Sequence, residues 1–298
     1  ADTDDRPFFL MVGFTDPHRA KEGFGNEGNY TGVQKVEYKP QDVPVPDWLP
    51  DRPEVRRELA QYYQSISRLD QGVALMLDAL NETQRDKDTL VLYVSDNGPP
   101  FPGAKTTLYE PGIHLPLIVA SPAQARRGVT CSALVSFVDL APTILQWAGA
   151  KPPDRLAGRS LLPILDQDDP QGWDTVYASH SFHEVTMYYP MRMIRTRQFK
   201  YLLNLAHELE FPLASDLWGS PTWQGVLRGG ETRFGRRTVK ALLQRPHEEL
   251  YDLRSDPDEI KNLADDPAHA EILHELRGRL KTWREETNDP WLILDRQP

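Results

Sequence analysis

Residues 91–112 read VLYVSDNGPPFPGAKTTLYEPG, and this stretch organises the rest of the chain. A β-branched and aromatic run, VLYV, predicts a strand within residues 89–94. It stops at Asp96-Asn97-Gly98. A turn rich in Pro and Gly follows, and then a single cation, Lys105. Asp96 and Asn97 thus stand where a strand of an α/β sheet would end, and ligands bind outside the carboxyl ends of such strands. A carboxylate and an amide carbonyl are hard oxygen donors suited to Ca²⁺ or Mg²⁺. Two are too few for a full shell of roughly six to eight oxygens, and an Asp-Asn-Gly turn after a strand is also ordinary turn chemistry. Lys105 adds a positive charge that would hold an anionic oxygen beside such a metal.

Working outward, residues 8–14 (FFLMVGF) are apolar throughout, the pattern of a strand buried on both faces. They lead into Thr15-Asp16-Pro17-His18-Arg19, which brings His18 to the same sheet edge as a candidate proton donor near neutral pH. Residues 20–54 form a long polar excursion, a length often tied to function. Apolar positions recur every three or four residues over 53–80, predicting an amphipathic helix with Pro53 at its first position. A strand at 115–120 and a strand-to-helix unit at 133–147 continue an α/β alternation. Beyond residue 150 come shorter strands at 175–179, 191–194 and 200–204, and a helix at 268–286. The expected division is a larger α/β part at 1–168 and a smaller α+β part at 169–298.

The net charge of −10 argues against non-specific coating of nucleic acid or membrane. An anionic substrate would need a local cation cluster or a metal. The one cysteine, Cys131, excludes an internal disulfide and reads as a small buried hydrophobe. No apolar run reaches membrane-spanning length. The first ten residues, ADTDDRPFFL, lack the basic start and leading apolar stretch of a signal peptide. His180, His183 and Glu184 cluster in ASHSFHEVTMYYPMR, but in an order that does not match a helical zinc motif. The basic run at 227–240 reads as a solvated loop. G-x-S-x-G, P-loop and dinucleotide fingerprints are not found. Two N-x-T sequons fall at Asn29 and Asn81.

Several segments in order resemble the sulfatases of the alkaline-phosphatase superfamily. They are YYQSISRLDQGVALMLDAL, SDNG followed by KTTLYEPGIHLPLIV, VSFVDLAPTIL, and ELYDLRSDPDEIKNLA. Within that family DDRPFFLMVGFTDPHR, SDNGPPFPG, HEVTMYYPMR and WREETNDPW resemble the sulfamidase branch, the heparan N-sulfatases. The resemblance implies an alkaline-phosphatase-like, mostly parallel sheet flanked by helices, followed by a smaller α+β subdomain. It implies hydrolysis of N-linked sulfate on glucosamine of glycosaminoglycan chain ends. Asp96 and Asn97 would supply part of a Ca²⁺ site, and His18 and Lys105 would contact the sulfate or departing group. His183 and Glu184 would line the sugar pocket. The sulfamidases tend to carry Arg where Lys105 stands, which keeps the charge but not the bidentate fork.

The family nucleophile, a formylglycine made within C/S-x-P-S-R, has no counterpart in these residues. The chain is therefore expected to be the C-terminal part of a sulfatase, inactive without the nucleophile segment. Other arylsulfatase-like or phosphoester hydrolase activities of the superfamily, or a non-catalytic glycan-binding remnant, are the competing readings. A homodimer is among the expected assemblies. The resemblance implies a lysosomal protein in an animal and a periplasmic or secreted one in a bacterium.

Overall fold

A computed structural model describes residues 6–185 and 187–296. The first five residues, which open the ADTDDRPFFL quoted above, lie outside the described residues. In chain order the elements are α1 (Pro53–Glu82), β1 (Val91–Val94), α2 (Glu110–Ile113), β2 (Leu117–Ala120) and α3 (Leu140–Trp147). There follow β3 (Thr175–Phe182), β4 (Tyr188–Thr196), β5 (Phe199–Asn204), α4 (Ser215–Trp218) and α5 (Pro221–Gly229). The last are β6 (Arg233–Phe234), β7 (Arg237–Thr238), α6 (Val239–Leu243), β8 (Glu248–Asp252) and α7 (Ala270–Glu286).

The strands pair in three sheets of order β1-β2, β3-β4-β5-β8 and β6-β7. All of these pairs are antiparallel, so the expected parallel pairing is not seen among the described residues. A parallel pair needs a crossover that carries the chain back along the sheet, usually on a full helix. Between β1 and β2 the one helix is α2, a single turn of four residues, and the chain doubles back instead. The apolar run 8–14 also departs from expectation. It belongs to no strand, and Phe9 and Met11 are 73% and 83% exposed. A strand apolar on both faces needs a neighbour on each side, and among the described residues it has none.

Helix α1 begins where the pattern put it, with Pro53 at its first position and no side-chain cap. Its first half is packed: Val55, Leu59, Ala60 and Leu69 are buried together with the polar Glu58 and Ser65. Beyond Leu69 the same apolar stripe is open to solvent at Leu75, Met76 and Leu77. Strands β3 and β4 extend further than their apolar cores suggested. Residues 133–136, expected to be a strand, belong to none, although the Leu134 amide donates to Trp173 O at 2.8 Å.

The four-stranded sheet has a core on each face, as strand alternation dictates. Met191, Met193, Leu202 and Tyr251 point into the main cluster, beside Phe24, Val55, Leu59, Phe101, Tyr109 and Trp223. Ile194, Tyr201 and Leu250 face the other way, onto Leu273, Leu276 and Leu280 of α7. The first and last thirds of the chain therefore share one core. Apolar burial of this kind stabilises by about 25 cal/mol per Å².

Through that core runs a polar network. Lys200 on β5 is 0% exposed, and its Nζ lies 2.7 Å from Glu110 Oε1 and 2.8 Å from Glu259 Oε1, itself 0% exposed. Lys200 Nζ also donates to Leu108 O at 3.2 Å. Arg195 forms a fork onto Glu110, at 3.0 and 3.2 Å, and the Glu110 amide donates to Glu259 Oε2 at 2.6 Å. Burial works against the charge of Glu110, but Lys200 and Arg195 outweigh it and hold its carboxyl at about 2. For Glu259 burial wins, and its carboxyl is pushed up. At the far end Asp289 takes Arg192 at 2.7 and 2.8 Å and Arg284 at 2.8 Å. Burial again opposes its charge, the two guanidinium groups prevail, and its carboxyl is held at about 2.

Two outcomes are expected. Lys200→Met keeps much of the volume but strands the buried Glu259 carboxylate, and should cost about 3–5 kcal/mol in urea unfolding. Glu110 and Asp289 are both depressed in the folded state, so their stabilisation is present above the ordinary carboxylate range. It fades as pH falls from about 4.5 through the folded values of about 2. The urea midpoint should therefore be lower at pH 3 than at pH 6, and Glu110→Gln should flatten part of that dependence.

Candidate active site

Helix α1 builds the first wall of the site. Asp16 accepts hydrogen bonds from Ser65 Oγ at 2.9 Å and from Arg68 Nε and Nη2 at 2.7 and 2.5 Å. Two residues on, the amide of His18 donates to Thr15 O at 2.8 Å and closes a turn. Arg19 then reaches back to α1, where its guanidinium pairs with Glu58. It also donates through Nε to Pro100 O at 2.9 Å and lies 4.9 and 5.2 Å from the ring centres of Phe24 and Phe101. The other Glu58 oxygen accepts the Thr222 amide at 2.7 Å, in the first turn of α5. His18 is thus gripped on both sides along the chain while its ring stays exposed.

The second wall is the segment after β1. Gly98 donates its amide to Gly112 O at 3.2 Å. A Cβ at Gly98 would lie 2.1 Å from Pro111 O, and one at Gly112 would lie 2.4 Å from Thr107 O. Both positions need glycine because two backbones meet there. The fold-back delivers Lys105, 3% exposed, to the His18 loop. Lys105 Nζ lies 3.1 Å from His18 Nε2 and donates to Asp216 Oδ2 at 2.9 Å. His18 Nδ1 lies 2.7 Å from Arg19 O. A charged Lys105 can only donate, so Nε2 is the acceptor and Nδ1 carries the ring proton, donated to Arg19 O. The line Asp216–Lys105–His18–Arg19 O is consistent in its donors and acceptors from end to end.

His18 and Lys105, two of the residues expected at the site, therefore meet. Glu184 comes near through another route. From the β3–β4 connection its Oε1 accepts Ser215 N at 3.2 Å and Ser215 Oγ at 2.7 Å, and these bonds lower its pKa. Ser215 opens α4 and precedes Asp216. His183 stands exposed in the same connection. His180 is set apart: burial first of all lowers its pKa, and its Nε2 is enclosed without a partner among the described residues.

Asp96 and Asn97 lie at the exit of β1. Asp96 is exposed, and Asn97 donates Nδ2 to Gly98 O at 2.8 Å, which leaves its carbonyl oxygen as the free acceptor. That donor set fits a hard cation, but it is only part of a shell. No group of three or more His, Cys, Asp or Glu among the described residues could hold a metal. In the basic run Arg228, Arg233, Arg236 and Lys240 are exposed, as expected, and Arg237 is half-buried. Arg236 pairs with Asp47 and Asp258, and Arg237 lies 3.8 Å from the ring centre of Tyr109. Cys131 is half-buried, against the Leu161–Trp173 cluster.

Asp216, Arg19 and Glu58 were not singled out by sequence reasoning. Glu58 falls on the buried side of an amphipathic helix, and a charged residue there is a usable signal. Asp216 gives none: it stands 111 residues from Lys105, in a one-turn helix with no periodic pattern.

The family model described as Sulfatase matches residues 1–150. The model described as N-sulphoglucosamine sulphohydrolase, C-terminal, matches residues 104–221. The chain is 41% identical to N-sulphoglucosamine sulphohydrolase of Homo sapiens, over 97% of this chain and 62% of that protein. It is 28% identical to an ulvan-active sulfatase of Formosa agariphila, over 94% of this chain and 52% of that protein. The chain thus spans about half to three-fifths of the length of these relatives. A solved structure in complex with its substrate D-glucosamine-2-N,6-O-disulfate superposes with a TM-score of 0.59 at 22% identity. That match covers 84% of this chain and 45% of the other, and supports the sulfatase α/β fold. The chain belongs to the sulfatase family.

Proposed function

We propose that the protein carrying this chain hydrolyses N-linked sulfate from glucosamine at the ends of heparan-type glycosaminoglycan chains. The observation that carries this reading is the buried Lys105 set between His18 and Asp216, inside the segment matched by the N-sulphoglucosamine sulphohydrolase C-terminal model. The identity with the human sulphohydrolase supports the same substrate. So does the fold neighbour, whose own substrate is an N-sulfated glucosamine.

Each residue has a chemical part. Nitrogen leaves poorly unless protonated, so the reaction needs an acid beside the departing amine. His18 Nε2 and Lys105 Nζ, 3.1 Å apart, hold a proton between them at that place. The Lys105 charge also faces sulfuryl oxygens as negative charge builds on them. Asp96 and Asn97 would hold part of a Ca²⁺ ion, which when bound neutralises the same oxygens. His183 and Glu184, in the connection beside α4, line the sugar side. The nucleophile is assigned to residues outside these 298, since C/S-x-P-S-R does not occur among them. By this reading the segment alone does not turn over substrate. A lysosomal site of action in an animal, or a periplasmic or extracellular one in a bacterium, goes with this substrate. Among the described residues no helix is long and apolar enough to cross a membrane.

Sulfate release from N-sulfoglucosamine by the full-length enzyme is the direct test. His18→Ala should lower kcat by about 10²–10⁴-fold, and Lys105→Ala should lower kcat/KM by about 10²–10³-fold. Faster turnover of an aryl phosphate than of the sulfamate would instead favour the phosphoester reading, and sugar binding without turnover the glycan-binding one. Ca²⁺ should raise the Tm of the full-length protein by mass action, and Asp96→Ala should abolish that rise.

A further inference from the structure

A polar cavity opens where α1 begins. It measures ≈ 510 Å³ and is lined by Asp47, Asp51, Glu231, Arg52, Arg56 and Arg233. That volume lies within the roughly 300–1,000 Å³ of small-ligand sites. Not all of these charges are available. Arg56 closes a fork onto Asp51 at 2.5 and 2.7 Å. Arg52 reaches Glu231 Oε1 through Nη1, Arg236 reaches Asp47 Oδ2, and Arg233 donates through Nη2 to Arg236 O. Among the described residues this leaves Arg52 Nη2 and Arg233 Nε and Nη1 as uncommitted donors, and Glu231 Oε2 and Asp47 Oδ1 as uncommitted acceptors. Asp47, Glu231 and Arg233 are exposed, so a ligand can reach them. The cavity sits at one end of the α1–α5 pair, where Arg52 meets Glu231. Further along the pair Glu58 accepts the Thr222 amide at 2.7 Å, and Glu58 also holds Arg19. The helical rise from Arg52 to Glu58 is about 9 Å. The same helix pair therefore carries the cavity and, further along, the anchor of the His18 loop.

We propose that this cavity binds a sugar that carries a free ammonium and an acidic group together, the class of glycan unit that removal of an N-sulfate leaves behind. The inference rests on the sulfamidase reading above for the source of that ligand. When water cleaves the N–S bond of a sulfamate, the sulfuryl group departs as a sulfate dianion and the nitrogen stays on the sugar as an ammonium. A 6-O-sulfate on the same sugar makes this product a zwitterion. The uncommitted groups match it at both ends. The ammonium donates to Glu231 Oε2 and Asp47 Oδ1, and the 6-O-sulfate accepts from Arg52 and Arg233, a charge-assisted pairing at each end. A sugar that still bears its N-sulfate turns a second anion toward the two carboxylates and is repelled. A sugar with one charge alone leaves one end of the cavity unmatched. The cavity thereby separates product from substrate by the sign of one substituent.

Calorimetry on the full-length enzyme tests this with three sugars: glucosamine 6-sulfate, N-acetylglucosamine 6-sulfate, which lacks the ammonium, and glucosamine, which lacks the anion. Wild type should bind glucosamine 6-sulfate at least about tenfold more tightly than either of the others, the worth of one charge-assisted hydrogen bond. Glu231→Gln and Arg233→Gln should each lower the affinity for glucosamine 6-sulfate by at least about tenfold and narrow its lead over the single-charge sugars. Both residues are exposed and away from Lys105, so kcat for N-sulfoglucosamine should stay within about twofold of wild type, which a merely unfolded variant would not do. Affinities within about threefold of wild type in both variants would overturn the inference. So would equal binding of the three sugars, or binding of none. A wild type that releases no sulfate from N-sulfoglucosamine, yet binds glucosamine 6-sulfate through Glu231 and Arg233, overturns the sulfamidase reading and leaves the cavity assignment standing.

Discussion

Lys200 is a positive charge with no access to water, and the placement of the site follows from how that charge is balanced. Its three partners are Leu108 O, Glu110 and Glu259. Two of them lie just beyond Lys105 in the chain. A strand in the second half of the protein thus dictates where the segment after β1 must lie. Buried ion clusters give little net stability, because desolvation offsets most of the attraction. Their requirement for narrow geometry is what matters here. The backbone from Leu108 to Glu110 has one position that satisfies an ammonium, a guanidinium and a carboxylate together.

Glu58 does for His18 what Lys200 does for Lys105. It is a carboxylate at 3% exposure that joins the Arg19 guanidinium to the amide of Thr222. The loop bearing His18 and the helix following Asp216 are therefore fixed to the same residue of α1. The distances within Asp216–Lys105–His18 are set by two buried charges, on different elements, neither of which touches the others in that line. The chain has a net charge of −10, so any anion held here depends on this local arrangement rather than on the field of the whole molecule.

The legible parts of the sequence were those whose cause is local. The apolar period of α1 and the proline at its start marked that helix, and the alternating runs of β4 and β5 marked the strands of the second sheet. The Asp-Asn-Gly stop and the lone Lys105 were visible as residue types in order. Strand pairing was not legible. The run 8–14 carries the pattern of an interior strand, yet pattern records what a segment needs and not what lies beside it. Strand β8 was not foreseen, and its sequence EELYD holds three acids. Glu249 is nevertheless buried, where Tyr109 and Asn204 donate to it at 2.8 and 2.7 Å, partners that lie 140 and 45 residues away. Asp216 was invisible for the same reason: its meaning lies wholly in a contact distant along the chain. His18 drew notice for its residue type and its turn, but only the structure shows that its Nε2 meets an ammonium.

The separations along the chain have a consequence for when this line can form. His18 and Lys105 are 87 residues apart, and Lys105 and Asp216 are 111 apart, so no locally ordered intermediate can contain the line. It closes only after the β5 lysine and the α1 glutamate have both been enclosed, which are late, long-range events in chain collapse. During synthesis the line Asp216–Lys105–His18 therefore cannot close until the second half has been made. A substitution deep in the second sheet would be felt as a smaller share of molecules in which the line is closed, with its distances unchanged in those that close it.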